Sequence, residues 1–387
     1  MPYLHTMFPD FNIYSSPLLI LVLQGFFLSG MLLWSCTNKN NLANLILGIL
    51  LLITCYHRTT YTIGFMGWYD TFRTTKINYY LIPLSLAVGP LIYFYIKSFV
   101  IQEFRFHKRE LIHFIPVLLY FLYRLGVFFY DSNQDGFADT QNGVFMQKDI
   151  YNSIDVFYIA IAAAQLLLYL AFSIYAYYKY RKALVQQYSN TYKSELLWLR
   201  NFLFAYSFLF IYDVLQTLTD EFLIDLHWTQ EWWYQFFSVL VVIYLGVKGY
   251  YTDMESLKKV DLALAEKTRE KKGKTDFDKS VELEKLQELV SSNKLYLDPN
   301  LSLTQLSKAV RISPTQVSDL INRGLGQNFN DYINRYRIEY IVKQLSDKKN
   351  NHLSILAIAL DGGFNSKATF NRVFKKITGK SPSEYRK

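Results

Sequence analysis

A chain of 387 residues has room for two or three domains, and its 51% hydrophobic and 18% aromatic content is more than one ordinary soluble domain carries. Its two cysteines, Cys36 and Cys55, lie in or beside apolar segments and exclude a disulfide framework or a cysteine zinc site; its six histidines show no metal-ligand spacing. The net charge of +9 is unevenly placed: Asp298 to Lys387 hold fifteen Lys or Arg against seven Asp or Glu, a basic tail suited to nucleic acid or to an anionic membrane surface.

Most of the Tyr, Phe and Trp precede Asp253, in long apolar blocks. Crossing a hydrocarbon layer roughly 30 Å thick takes about 20 mostly apolar residues. Seven segments meet that need: Ser16 to Ser35, Leu42 to Ile63, Tyr80 to Val100, Ile112 to Tyr130, Ser153 to Tyr178, Trp198 to Leu218 and Trp232 to Tyr251. The first has no Lys or Arg before Lys39 and no small-residue cleavage site, so it reads as a retained helix rather than a signal peptide. Residues 1–251 are thus expected to form a seven-helix transmembrane bundle, with six or eight spans as alternatives.

Loop charge predicts the orientation, because Lys and Arg translocate poorly. One set of alternate loops carries ten basic residues, among them Arg105, Lys108, Arg109, Lys179, Arg181 and Lys182; the other carries Arg73, Lys76 and Lys148 with many acids. That imbalance predicts the N-terminus outside a bacterial cytoplasmic membrane and the C-terminal region in the cytoplasm. Trp68, Trp228, Trp232 and Trp233 fall near the expected outer ends, where an amphipathic ring suits the headgroup layer.

Charges within spans are rare and often functional, which singles out Arg58, Arg124 and Asp213. One reading brings Arg124 and Asp213 together as part of a ligand pocket or switch. In the other they pair only structurally and Arg58 snorkels to the interface. An outer loop, Asp131 to Asp139, places Asp131, Asn133, Asp135 and Asp139 at positions one, three, five and nine, with Gly136 at six, like the start of a calcium loop. Asn142 stands where the bidentate acid belongs, so a solvated acidic turn is the competing reading. No other cofactor is expected.

From 252 to 281 the aromatics vanish and charges of both signs take over. Met254, Leu257, Val260 and Leu264 are spaced for a short helix, and the Arg269 to Lys274 run breaks it; a signal-transmitting helix and a solvated tether both fit. Residues 282–387 carry helix punctuation. Ser302-Leu303-Thr304-Gln305 is a capping-box start, Ser313-Pro314-Thr315-Gln316 is another, and the helices between them bury Leu303, Leu306, Val310, Val317, Leu320 and Ile321. A longer helix from about Phe329 to Leu345 follows. Ser354 then caps a short helix, Gly362-Gly363 turns, Asn365-Ser366 opens Lys367 to Ile377, Gly379 stops it and Ser381-Pro382 begins a last turn. The expected result is two helix-turn-helix units joined by one helix.

The run Ile358 to Ser366, Phe370 to Lys376, Gly379-Lys380-Ser381-Pro382 and Tyr385-Arg386 resembles the C-terminal signature of AraC-type transcription regulators, over about the last hundred residues. The resemblance implies that each unit lays its second helix in a major groove of promoter DNA. By position the readers are Thr315, Ser318 and Asp319 in the first unit, and Lys367, Ala368, Asn371 and Arg372 in the second. Asn371 suits adenine, Arg372 suits guanine or phosphate, and Lys375 and Lys376 suit phosphate. Asp319 departs from the family, where a basic residue often stands.

No phosphate loop, zinc-protease His pair, kinase set or nucleophile elbow is present, so an enzyme is not expected. The sequence reads as an all-α, membrane-bound one-component regulator whose bundle senses a small-molecule or envelope signal and whose tail binds double-stranded DNA, alone or as a homodimer. The rival is a transporter or receptor whose basic tail binds protein or lipid.

Overall fold

The structure, a computed structural model, describes residues 8–39, 41–72, 84–101, 104–139, 143–191, 193–252, 257, 260–264 and 279–386. Among them there is no strand, only one isolated antiparallel bridge between Tyr188 and Ser302, and the chain is all-α. It divides into two compact units: Met1–Tyr177 with Leu197–Met254, and Tyr178–Leu196 with Glu255–Lys387.

Each of the seven apolar segments contains a helix: α1 (Ser15–Lys39), α2 (Leu42–Phe65), α3 (Ser85–Val100), α4 (Ile115–Ser132), α5 (Asp149–Gln187), α6 (Leu197–Phe222) and α7 (Trp228–Tyr250). Five helical stretches among the described residues are long and apolar enough to cross a membrane: Ser15–Cys36, Leu42–Phe65, Lys108–Ser132, Ser153–Gln187 and Leu197–Asp220. The other two segments fall short of that standard. As described, α3 has only 16 residues, and Tyr80, its expected start, lies outside the described residues; α7 is diluted by Trp, Gln, Glu and Tyr in its first turns.

Helix α2 is the centre of the first unit, packing against α1, α3 and α7. Close approach requires Gly246 on α7, where a Cβ would lie 2.7 Å from both Leu28 and Leu51. At one end Asn12 donates to the Phe65 carbonyl, and Trp232 donates its indole N–H to the Tyr14 carbonyl at 2.8 Å. Trp232 is therefore buried packing rather than the interfacial anchor expected from sequence, because Leu18, Phe65 and Phe236 cover its ring; Trp233 beside it is exposed. Helices α4, α5 and α6 expose Leu118, Leu122, Phe157, Ile161, Phe204 and Phe208, faces that water would penalise and lipid would not.

The second unit contains α8 (Lys279–Ser292), α9 (Leu303–Val310), α10 (Pro314–Asp319), α11 (Phe329–Ser346), α12 (Ile355–Asp361), α13 (Lys367–Thr378) and α14 (Pro382–Tyr385). Two hydrophobic cores share α11. Its first half gives Phe329, Tyr332 and Ile333 to a core with Leu286, Leu306, Val317 and Ile321; its second half gives Ile338, Ile341 and Leu345 to a core with Ile358, Phe364, Phe370 and Phe374. Part of the charged connector belongs here too. Leu264 packs on the first core, and Gln187 and Asp261 exchange two hydrogen bonds, whereas Met254 and Arg269 to Lys274 lie outside the described residues.

Candidate nucleic-acid interface

The serine caps read from the sequence are built as read. Ser302 and Ser313 each accept a backbone N–H three residues on, from Gln305 and Gln316, and those glutamines accept from the cap backbone in return. Ser354, Ser366 and Ser381 likewise accept a backbone N–H three residues on and cap α12, α13 and α14, and Glu384 returns the bond to Ser381. Arg311 in the left-handed region (φ 61°) closes α9, and Gly379 (φ 76°) closes α13.

Helix α13 is two-faced. Thr369, Phe370, Val373 and Phe374 are buried at helical spacing, and their complement, Lys367, Ala368, Asn371, Arg372, Lys375 and Lys376, is exposed. All six residues expected to read DNA in the second unit therefore share one side of one helix: an amide, a guanidinium and three ammonium groups. This side can donate to guanine or phosphate, pair with adenine and neutralise a backbone.

The first helix-turn-helix is less open. Helix α10 gives way after Asp319 to a π-helical turn, Leu320–Gly324, that rotates the following residues relative to an ideal helix. Thr315 is half-buried. Ser318 is buried, and its hydroxyl and carbonyl receive the Asn322 amide, so it faces inward and is not an available reader. The expectation failed there because the neighbouring core residues Val317, Leu320 and Ile321 bring residue 318 under the helix. Asp319 is bound to Arg323 at 2.7 Å, one turn on, which neutralises the acid that departs from the family pattern.

Two of the exposed cations on α13 already meet acids. Lys376 lies 2.7 Å from Asp331 of α11, and the Arg372 guanidinium lies 3.3 Å from Glu195. Glu195 comes from the Tyr178–Leu196 segment of the same unit. Its carboxylate is 5% exposed, accepts the Thr191 hydroxyl at 2.7 Å and lies 2.8 Å from Arg181. Burial pushes its pKa up, but the Thr191 hydrogen bond and the charge of Arg181, with Arg372 adding to it, hold it below the usual carboxylate range.

Behind this face sits Arg337 of α11, 1% exposed. Its guanidinium donates to the carbonyls of Tyr296 and Asp298 at 2.7 Å, to the carbonyl and hydroxyl of Ser189, and to Asn334. Burial pushes its pKa down to about 10, so it keeps its charge at neutral pH. Gly363 (φ 85°) turns the second helix-turn-helix against it: a Cβ there would lie 2.8 Å from the Tyr296 carbonyl and 2.9 Å from the Arg337 Nε. The sequence reading missed Arg337, Glu195 and Asp331. A signal existed only for Arg337, which stands four residues from both Ile333 and Ile341 on the buried stripe of α11.

In the first unit the three expected switch residues do not gather as expected. Arg124 is buried and pairs with Asp155, not Asp213, at 3.6 Å; Tyr120 also donates to Asp155 at 2.6 Å. Asp213 instead lies in the field of Arg58, whose guanidinium donates to Ser238 at 2.9 Å and rests 5.0 Å over the Tyr234 ring. Of the expected calcium ligands, Asp131 is buried and accepts the Phe145 N–H, and Asn133 donates to the Phe129 carbonyl; Asn142 lies outside the described residues.

Residues 306–387 match the family model described as a helix-turn-helix domain. YesN, an uncharacterized transcriptional regulatory protein of Bacillus subtilis (strain 168), is 35% identical over 91 residues, 23% of this chain and 24% of its own. An uncharacterized HTH-type transcriptional regulator of Staphylococcus aureus (strain COL) is 33% identical over 103 residues, 27% of this chain and 13% of its own. The aligned region thus spans about a quarter or less of either relative. A solved protein of unknown function from Listeria innocua aligns at 32% identity over 26% of this chain and 93% of its own, with a TM-score of 0.23.

Proposed function

Because the C-terminal domain of this chain is an AraC-type helix-turn-helix domain, we propose that the protein is a membrane-bound one-component transcription regulator. The observation that carries the reading is the exposed polar and basic face of α13, backed by Phe370 and Phe374, in the same chain as five helices able to cross a membrane. Asn371 and Arg372 read bases in the major groove, and Lys367 and Lys375 hold phosphates. The N-terminal helices lie in the bacterial cytoplasmic membrane with the DNA-binding domain on the cytoplasmic side, the orientation favoured by ten basic residues in one set of loops against three in the other. A signal within the bilayer or outside it acts on those helices, and the tail changes its hold on promoter DNA.

The test is genome-wide crosslinking of the full-length tagged protein to DNA, beside an Asn371→Ala, Arg372→Ala variant, with fractionation of the same cells. Promoter peaks lost in the variant, with both proteins in the membrane fraction, are the expected result. Peaks unchanged in the variant would remove α13 from the reading role. No peaks in any growth condition would move the basic tail to a protein-binding or lipid-binding role.

A further inference from the structure

The reading side of α13 already has an intramolecular partner. Arg372 reaches Glu195 across 177 residues of sequence, into a segment that by sequence lies between two apolar stretches. That segment is seated by bonds that do not involve Arg372. The N–H and hydroxyl of Ser189 donate to the Leu301 carbonyl, next to the cap of α9; the Asn330 amide donates to the carbonyls of Tyr188 and Ser189; and Arg337 holds Ser189 from below. Ser189, Thr191, Ser194 and Glu195 are each less than a tenth exposed.

Glu195 is thus a fixed negative charge, kept out of water and paired as a buried carboxylate must be. Its two cations differ in the freedom they retain: the Arg181 side chain is 26% exposed, whereas that of Arg372 is 61% exposed and can leave the carboxylate without unseating the segment. The contact runs through Nη2 of Arg372, so a fork onto a guanine edge or a phosphate that uses this nitrogen must compete with Glu195 for its position. An exposed ion pair is weak and a phosphate pair is stronger, so the contact raises the threshold for DNA rather than forbidding it.

We propose that the Tyr178–Leu196 segment is an autoinhibitory latch on the DNA-reading surface, in which the Glu195 carboxylate competes with DNA for Arg372. This rests on the DNA-binding reading and supplies its regulation. Residues Tyr178–Gln187 are the end of α5 and the last residues of the stretch Ser153–Gln187, one of the five able to cross a membrane, so chain continuity joins the latch to that stretch. A signal that draws on α5 frees Arg372.

The experiment measures binding of the full-length protein in lipid nanodiscs to a short fluorescent duplex of mixed sequence, across a salt series. Glu195→Gln keeps the shape and removes the charge. It is expected to bind about five-fold tighter or more, with a salt slope steeper by about one released counterion. Removing an acid near DNA helps binding by long-range charge as well, so the same change is made in an Arg372→Ala background, where the gain shrinks to that residue of long-range effect. If Glu195→Gln unfolds, Ser189→Ala with Asn330→Ala loosens the segment without altering any charge and is expected to tighten binding. Binding by the wild type that is weakened by Arg372→Ala but indifferent to either latch variant overturns the latch alone. An undiminished gain in the Arg372→Ala background also overturns it. Absence of binding by every protein overturns the DNA-binding reading and the latch together.

Discussion

Arg337 shows how one side chain organises the domain that carries α13. Three of its five hydrogen bonds reach backbone carbonyls, those of Tyr296 and Asp298 before α9 and of Ser189 in the Tyr178–Leu196 segment, and the other two reach the side chains of Ser189 and Asn334. Arg337→Met keeps the volume and removes all five hydrogen bonds, and is expected to lower the stability of the second unit by about 3 kcal/mol or more. Hydrogen exchange of full-length protein should then lose protection at 296–301 and in α11, and equal protection in wild type and variant would refute the role. Glu195 gives the residue-scale pH dependence. Its folded-state pKa lies below the unfolded value of about 4.3, so its contribution is complete above that value and is lost as pH falls through the folded one. Protection of residues 188–191, corrected for intrinsic exchange, should be flat from about pH 6 to 8 and fall below about pH 4. Glu195→Gln should abolish that acid limb, in which Arg181, Arg372 and Thr191 are the groups facing the carboxylate.

Helix α13 works because burial and exposure divide its residues cleanly, and the two sides answer to different measurements. Phe374 is fully buried against Phe370 and Tyr385, so Phe374→Ala is expected to cost about 3–5 kcal/mol and to unfold the second helix-turn-helix before the first. On the exposed side Asn371→Ala should relax preference at one base position by about 1–3 kcal/mol, while Lys375→Ala should weaken all sequences alike and flatten the salt slope by about one. A Lys375 effect confined to one sequence would reverse those assignments. The exposed side of α13 was legible in sequence because Phe370, Val373 and Phe374 mark the inward stripe unambiguously. Helix α10 was less so: Thr315, Ser318 and Asp319 were placed by resemblance, and on this six-residue helix Ser318 is buried next to Val317, which only packing decides.

At the scale of the whole molecule, two kinds of surface share one chain. The N-terminal unit leaves leucines, isoleucines and phenylalanines of α4, α5 and α6 exposed, and the C-terminal unit closes two conventional cores around α11. The proposed topology makes a direct prediction. Reporter fusions after Lys182 and after Lys387 should be active only as cytoplasmic reporters, and a fusion after Asp139 only as an external one. The short α3 and the diluted α7 make those fusions informative, since losing either as a span would reverse the side of everything that follows it.

Local chemistry alone determined the helix starts, the glycine stops, the inward aromatic stripe of α13 and the apolar segments, because each depends on residues within a turn or two of one another. Tertiary structure alone decided which charges meet. Arg124 went to Asp155 and Arg372 met Glu195, pairings chosen by packing between segments distant in sequence. The burial of Ser318 and Arg337 was decided in the same way, since a hydroxyl or guanidinium can turn inward only where other segments supply its hydrogen-bond partners.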